Sequence, residues 1–117
     1  AAPYAIAVKS VGADAYLYGE SVVALLRLAP IDPARMWIAS SGRVRRRLGE
    51  GTLVMERQPK TQIAHYEGVP SQPVADAIRA AAETMGASRA RQAVEEASRL
   101  GYLTPSERDR LVEELGA

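Results

Sequence analysis

Apolar positions along this chain recur with two different periods, and the change between them divides it into three parts. Near the start, Tyr4, Ala5, Ala7, Val8 and Val11 form a helical stripe that Pro3 can open and Gly12 ends. Tyr16 and Leu17 follow as a short extended piece. Glu20 to Leu28 predicts a second helix, in which Val22, Val23, Leu25, Leu26 and Leu28 cover much of the circumference. A helix that apolar belongs at the centre of a core. Glu20 stands at its start, where the helix dipole favours an acid, and Pro30 and Pro33 close it.

The middle third carries strand patterns. Met36 to Ala39 is the first, Thr52 to Glu56 the second and Ile63 to Tyr66 the third, and Val69 starts a short fourth after Gly68. Short sequential runs make an antiparallel meander the simplest sheet, and Pro59 and Pro70 limit how far pairing extends. The last third returns to the helical period. Val74, Ala77, Ile78, Ala81 and Met85 define one helix, with Pro73 at its first position, Ser71 or Gln72 as its cap and Gly86 as its stop. Ser88 is the expected cap of the next, whose apolar face is Ala90, Ala93, Val94, Ala97 and Leu100, with Gly101 beyond its end. Thr104-Pro105-Ser106-Glu107 is the best local signal, a capping box with proline at the first helical position. The final helix buries Leu111, Val112 and Leu115. The expected fold is therefore α+β: a small, mostly antiparallel sheet of three or four strands, two helices before it and three after, laid on one sheet face.

A chain of 117 residues has room for one core, so residues 1–117 are read as a single domain. Its composition, 47% hydrophobic and 25% charged, argues against disorder. No apolar stretch approaches the roughly 18 residues of a membrane span, so no membrane partner is expected. With no cysteine, disulfides, thiolate metal sites and a cysteine nucleophile are excluded, and the cytoplasm is the expected compartment. The chain begins Ala1-Ala2-Pro3, which suggests a fragment of something longer.

Net charge is +1, but residues 1–60 carry +4 and residues 61–117 carry −3. Much of the basic excess lies in one segment. Arg43, Arg45, Arg46 and Arg47 fall within five positions, just after the strand Met36 to Ala39. A guanidinium costs several kcal/mol to desolvate unless it is paired, so four so close together belong on the surface. They suggest a polyanion or an acidic partner; the bland alternative is a solvated loop that aids solubility. On an extended stretch Arg43, Arg45 and Arg47 would share one face, with Arg46 opposite.

Groups for catalysis are sparse. His65 is the only histidine and lies in a predicted strand with no second ligand at metal spacing, so a structural or surface role is expected. The serines form no nucleophile elbow, and Gly42, Gly49 and Gly51 are wrongly spaced for a phosphate or dinucleotide loop. Glu56 and Glu67 end or follow strands without a close acidic neighbour, and capping accounts for Asp14, Glu20 and Asp32. No enzyme activity, metal or cofactor is expected. Glu95 has the favourable i,i+4 spacing to Arg99, and Tyr16, Tyr18 and Trp37 are candidates for an aromatic platform, with Tyr16 and Trp37 more often core at such positions.

The order of these signals resembles a known family. Pro3-Tyr4-Ala5-Ile6-Ala7-Val8, Val11-Gly12-Ala13-Asp14-Ala15-Tyr16-Leu17 and Glu20-Ser21-Val22-Val23-Ala24-Leu25-Leu26 look like the opening of the AbiEi antitoxin C-terminal domain. The proline turn Ile31-Asp32-Pro33, the strand Met36-Trp37-Ile38-Ala39, the basic segment and Leu53-Val54 follow in the family's order. So do Glu67-Gly68-Val69-Pro70, Gln72-Pro73-Val74-Ala75-Asp76 and the closing Ala97-Ser98-Arg99-Leu100-Gly101-Tyr102-Leu103. Gln72 replaces the usual threonine cap, and Asp76 stands where threonine or a neutral residue is usual.

The resemblance implies a type IV toxin–antitoxin system of the abortive-infection kind. The partner would be a nucleotidyltransferase-like toxin, opposed directly or functionally. Operator DNA would be bound by the full-length protein through an N-terminal winged helix-turn-helix that this sequence does not contain. Arg43, Arg45, Arg46 and Arg47 would then contact operator phosphates or acidic residues of the toxin. The alternatives are the effector or dimerisation domain of a stand-alone transcriptional regulator, with a homo-oligomer pairing acidic helices with the basic half, and a small Mg²⁺-dependent nuclease.

Overall fold

A computed structural model of the chain describes residues 2–31, 35–41, 52–56 and 62–116, and for 53–56 the backbone alone. The elements run α1 (Ala2–Val11), β1 (Tyr16–Leu17), α2 (Glu20–Leu25), β2 (Met36–Ser40), β3 (Thr52–Glu56), β4 (Ala64–Tyr66), β5 (Val69–Ser71), α3 (Val74–Met85), α4 (Ala87–Arg99) and α5 (Pro105–Glu114). The fold is α+β, with two helices before β2 and three after β5.

The sheet is wider than the four central runs suggested, and its pairing is mixed. Its order is β3-β2-β1-β5-β4, which puts the two-residue piece Tyr16–Leu17 at the centre. β1 pairs antiparallel with β2 and parallel with β5, while β4 and β5 form an antiparallel hairpin. β2 and β3 run parallel, from Met36 opposite Thr52 to Ser40 opposite Glu56, so the expected meander does not form. A parallel pair needs a crossover of about a dozen residues, and the stretch between Ser40 and Thr52 is close to that length. β5 runs through Pro70, although it is an interior strand. Its ladder to β1 is a single residue pair, Leu17 with Ser71, so a proline beside that pair removes little.

Successive strand residues face opposite sides of a sheet. Leu17 and its partner Ile38 face the main core, where they join Val69 and buried residues from every helix, including Val8, Val22, Ala77, Val94 and Leu111. Tyr16 and its partner Ala39 are buried on the other side, so both faces are closed to solvent at the centre.

The chain joins these layers through a few buried polar contacts. Gln72 follows β5 and is 3% exposed. Its backbone N–H donates to Leu17 O at 2.8 Å, extending the β1–β5 ladder. Its side-chain Oε1 accepts from the N–H of Gly19, the residue before α2, at 2.9 Å. Ser21 Oγ, buried in the first turn of α2, accepts from the Trp37 N–H at 2.6 Å.

Helix starts divide between expected and unexpected. Thr104 and Glu107 form the capping box, with Glu107 N donating to Thr104 Oγ1 at 3.2 Å and Thr104 N donating to Glu107 Oε1 at 2.9 Å. By contrast α3 begins at Val74 with Pro73 as its N-cap and no side-chain cap from Ser71 or Gln72. Tyr66 replaces them: its hydroxyl oxygen accepts from the Val74 N–H at 3.1 Å. Ser88 is likewise not a cap, because α4 already begins at Ala87 after Gly86. Arginines staple the last helices. Arg79 of α3 bonds Glu114 of α5 at 2.6 Å and Asp76 at 3.1 Å, and Arg108 of α5 reaches Glu95 of α4 at 2.7 Å. Glu95 therefore bridges two helices instead of pairing with Arg99, which bonds Glu96. Leu100, expected on the apolar face of α4, is 46% exposed.

Candidate functional site

Arg43, Arg45, Arg46 and Arg47 lie outside the described residues. They belong to the connection between β2 and β3. Because those strands are parallel, the chain leaves β2 at one end of the pair and enters β3 at the other. His65 sits exposed on the edge strand β4, and no group of three or more His, Asp or Glu that could hold a metal occurs among the described residues. Tyr16 is core, at 2% exposure, and Tyr18 and Trp37 are half-buried, so the three tyrosine and tryptophan rings do not form an open platform. The Trp37 indole N–H is buried without a hydrogen-bond partner among the described residues, beside a cavity of about 50 Å³ lined by Tyr18, Glu20 and Thr84.

A different set of residues converges on a surface cavity of about 380 Å³ lined by Tyr4, Ala24, Leu25, Leu26, Arg27, Glu67 and Tyr102. Each charged member comes from a tight backbone feature. At the end of α2 the N–H of Leu28 donates to Val23 O at 2.9 Å and that of Arg27 to Ala24 O at 3.2 Å. This is a Schellman closure, and it puts Arg27 at the left-handed position, with φ 56°. Leu28, 2% exposed, anchors the closure in the core. Across the cavity, Glu67 and Gly68 form the two-residue turn between β4 and β5, with φ 52° and 77°. Two positive φ values in succession are the type I′ pattern, which suits the right-handed twist of a hairpin.

Tyr102 is delivered by the closure of α4, where Tyr102 N donates to Ala97 O at 2.9 Å and Gly101 takes φ 86°. Its ring meets Tyr66 edge to face, with centroids 5.6 Å apart, and Tyr66 in turn holds the start of α3. Burial pushes the Tyr66 phenol above its ordinary value, outweighing the opposing effect of its bond to the Val74 N–H. The hairpin, α3 and the α4–α5 turn are thus tied together behind the cavity. A neighbouring depression of about 450 Å³ shares Tyr4, Ala24 and Arg27 and continues to Gln92 and Glu96. A third, of about 460 Å³, lies between Lys9 of α1 and His65 of β4.

No family model, characterised protein or solved structure matches this chain. From the sequence, Arg27 carries no assigned role, Tyr102 enters only within the family resemblance, and Glu67 has no close acidic neighbour. One signal was present: Glu-Gly between two strands marks a two-residue turn whose first position favours Asn, Asp or Gly, which makes a glutamate there unusual.

Proposed function

We propose that this chain is a non-catalytic antitoxin and regulatory domain of the AbiEi-like kind. In this reading it counteracts a nucleotidyltransferase-like toxin in the cytoplasm and supports operator repression in the full-length protein. The observation that carries the proposal is the segment Arg43, Arg45, Arg46 and Arg47 between two strands of the sheet. Arg79, Arg91 and Arg108 in the C-terminal half are engaged by Glu114, the Gly116 carbonyl and Glu95. Guanidinium groups form paired bonds to phosphate or carboxylate oxygens, which suits either an operator backbone or an acidic face of the toxin.

Charge reversal tests the assignment. The variant R45E/R47E is expected to lose DNA affinity in the full-length protein or toxin neutralisation, with thermal stability unchanged. If DNA is the target, three phosphate contacts steepen the dependence of log K on log salt by about 2.7 in slope. Repression, DNA affinity and neutralisation all unchanged in R45E/R47E would reduce the segment to a solubilising loop.

A further inference from the structure

We propose that the cavity bounded by Tyr4, Arg27, Glu67 and Tyr102 binds a small zwitterion, an α-amino acid. This inference rests on residues separate from the arginine segment and stands whether or not the antitoxin reading does.

Backbone conformation is the first argument. Among the described residues, Arg27 and Glu67 are the only non-glycine residues at positive φ. Both line this one cavity. A side chain in the left-handed region costs about 1–3 kcal/mol and persists where something else requires it. The fold itself supplies the comparison: the equivalent closure at the end of α4 uses Gly101. The geometry at the end of α2 would be met at least as well by glycine, so a requirement outside the backbone accounts for Arg27. The same holds for Glu67, where a turn of this kind favours asparagine.

Charge is the second argument. Neither side chain makes a hydrogen bond or ion pair with any described residue, and the two do not bond each other. One cavity is therefore lined by a guanidinium and a carboxylate that no described residue engages. A simple anion would gain from Arg27 and be repelled by Glu67, and a simple cation the reverse. A molecule carrying a carboxylate and an ammonium a few ångströms apart satisfies both. Tyr4 and Tyr102 also line the cavity, and the face of a tyrosine ring attracts an ammonium. The volume, about 380 Å³, falls within the range of small-molecule sites.

The test is an amide NMR titration of the whole isotopically labelled chain with three probes of one shape. L-phenylalanine carries both charges, 3-phenylpropanoate only the carboxylate and 2-phenylethylamine only the ammonium. We expect saturable shifts from phenylalanine at the amides of Leu26, Arg27, Glu67 and Tyr102. Each single-charge analogue should bind about tenfold more weakly, the loss of one charge-assisted hydrogen bond. The variants R27G and E67N delete one charge each while fitting the positive-φ backbone, so both should keep a folded spectrum and weaken phenylalanine about tenfold. Absence of saturable shifts at the cavity with phenylalanine, equal binding of the three probes, or undiminished binding by R27G and E67N would each overturn the proposal.

Discussion

Replacing Gln72 tests the joint on which the layers depend. The side chain is 3% exposed, and its Oε1 is the acceptor for the buried Gly19 N–H at 2.9 Å. Gln72→Ala leaves that donor buried and unpartnered, at a cost of about 1–3 kcal/mol. It also removes the buried Cγ methylene, worth about 0.8 kcal/mol if the site does not collapse. The sum, about 3 kcal/mol, is a large share of the roughly 5–15 kcal/mol that holds a domain together. For a chain of this size it corresponds to a fall in Tm of about 10–15 °C. Gln72→Met keeps the volume and removes only the acceptor, so it should lose about half as much. Gln72→Glu keeps an acceptor but buries a carboxyl group, whose pKa burial raises. That variant should approach the parent in acid and lose stability as pH rises through the raised value. Urea unfolding followed by circular dichroism and by the fluorescence of Trp37, the sole tryptophan, measures all three. Gln72→Ala within about 0.5 kcal/mol of the parent, the range of an ordinary surface change, would refute the reasoning.

Two further predictions concern the helices around the cavity. Tyr66→Phe removes the acceptor for the Val74 N–H and should cost about 1 kcal/mol, or about 3–5 °C in Tm. Because the folded state raises the Tyr66 pKa above 10.0, its contribution is whole below that pH and is lost as pH climbs through the raised value. The phenylalanine variant should lack this part of the alkaline destabilisation in a pH series of melting curves. At the other extreme, bonding to Arg79 lowers the Glu114 pKa below its ordinary 4.5, so its contribution is present above that value and is lost as pH falls through the lowered one. Glu114→Gln should flatten that part of the acid limb in urea midpoints measured across the same range, and an unaltered acid limb would remove the Arg79–Glu114 link from the account.

Much of the secondary structure was legible because it is written in local patterns. The stripe Ala90, Ala93, Val94, Ala97 and the box Thr104-Pro105-Ser106-Glu107 each define a helix from a dozen consecutive residues or fewer. The sheet was less legible, because its order depends on partners distant in sequence. Tyr16–Leu17 is too short to carry a period of two, yet it becomes the central strand by pairing with Ile38 and Ala39 on one side and Ser71 on the other. Parallel pairing of β2 and β3 leaves no local mark, since a meander and a crossover present the same two apolar runs. Helix starts failed where tertiary contacts replaced local caps: Tyr66 caps α3 from another element, and Gln72, one of the two expected caps, reaches Gly19 instead. The cavity escaped notice for a related reason. Tyr4, Arg27, Glu67 and Tyr102 are separated by more than twenty residues at each step and meet only after two helix closures and a hairpin turn bring them together.

The central proposal, an antitoxin domain acting through its arginine segment, meets its most direct test in growth rescue. The chain is co-expressed with a nucleotidyltransferase-like toxin of the kind proposed as its partner, in a host which that toxin arrests, once as the parent and once as R45E/R47E. The account predicts that the parent restores growth and that the charge-reversed variant, folded and equally abundant, does not. Arrest that persists with soluble, folded parent chain, or equal rescue by both forms, would contradict it.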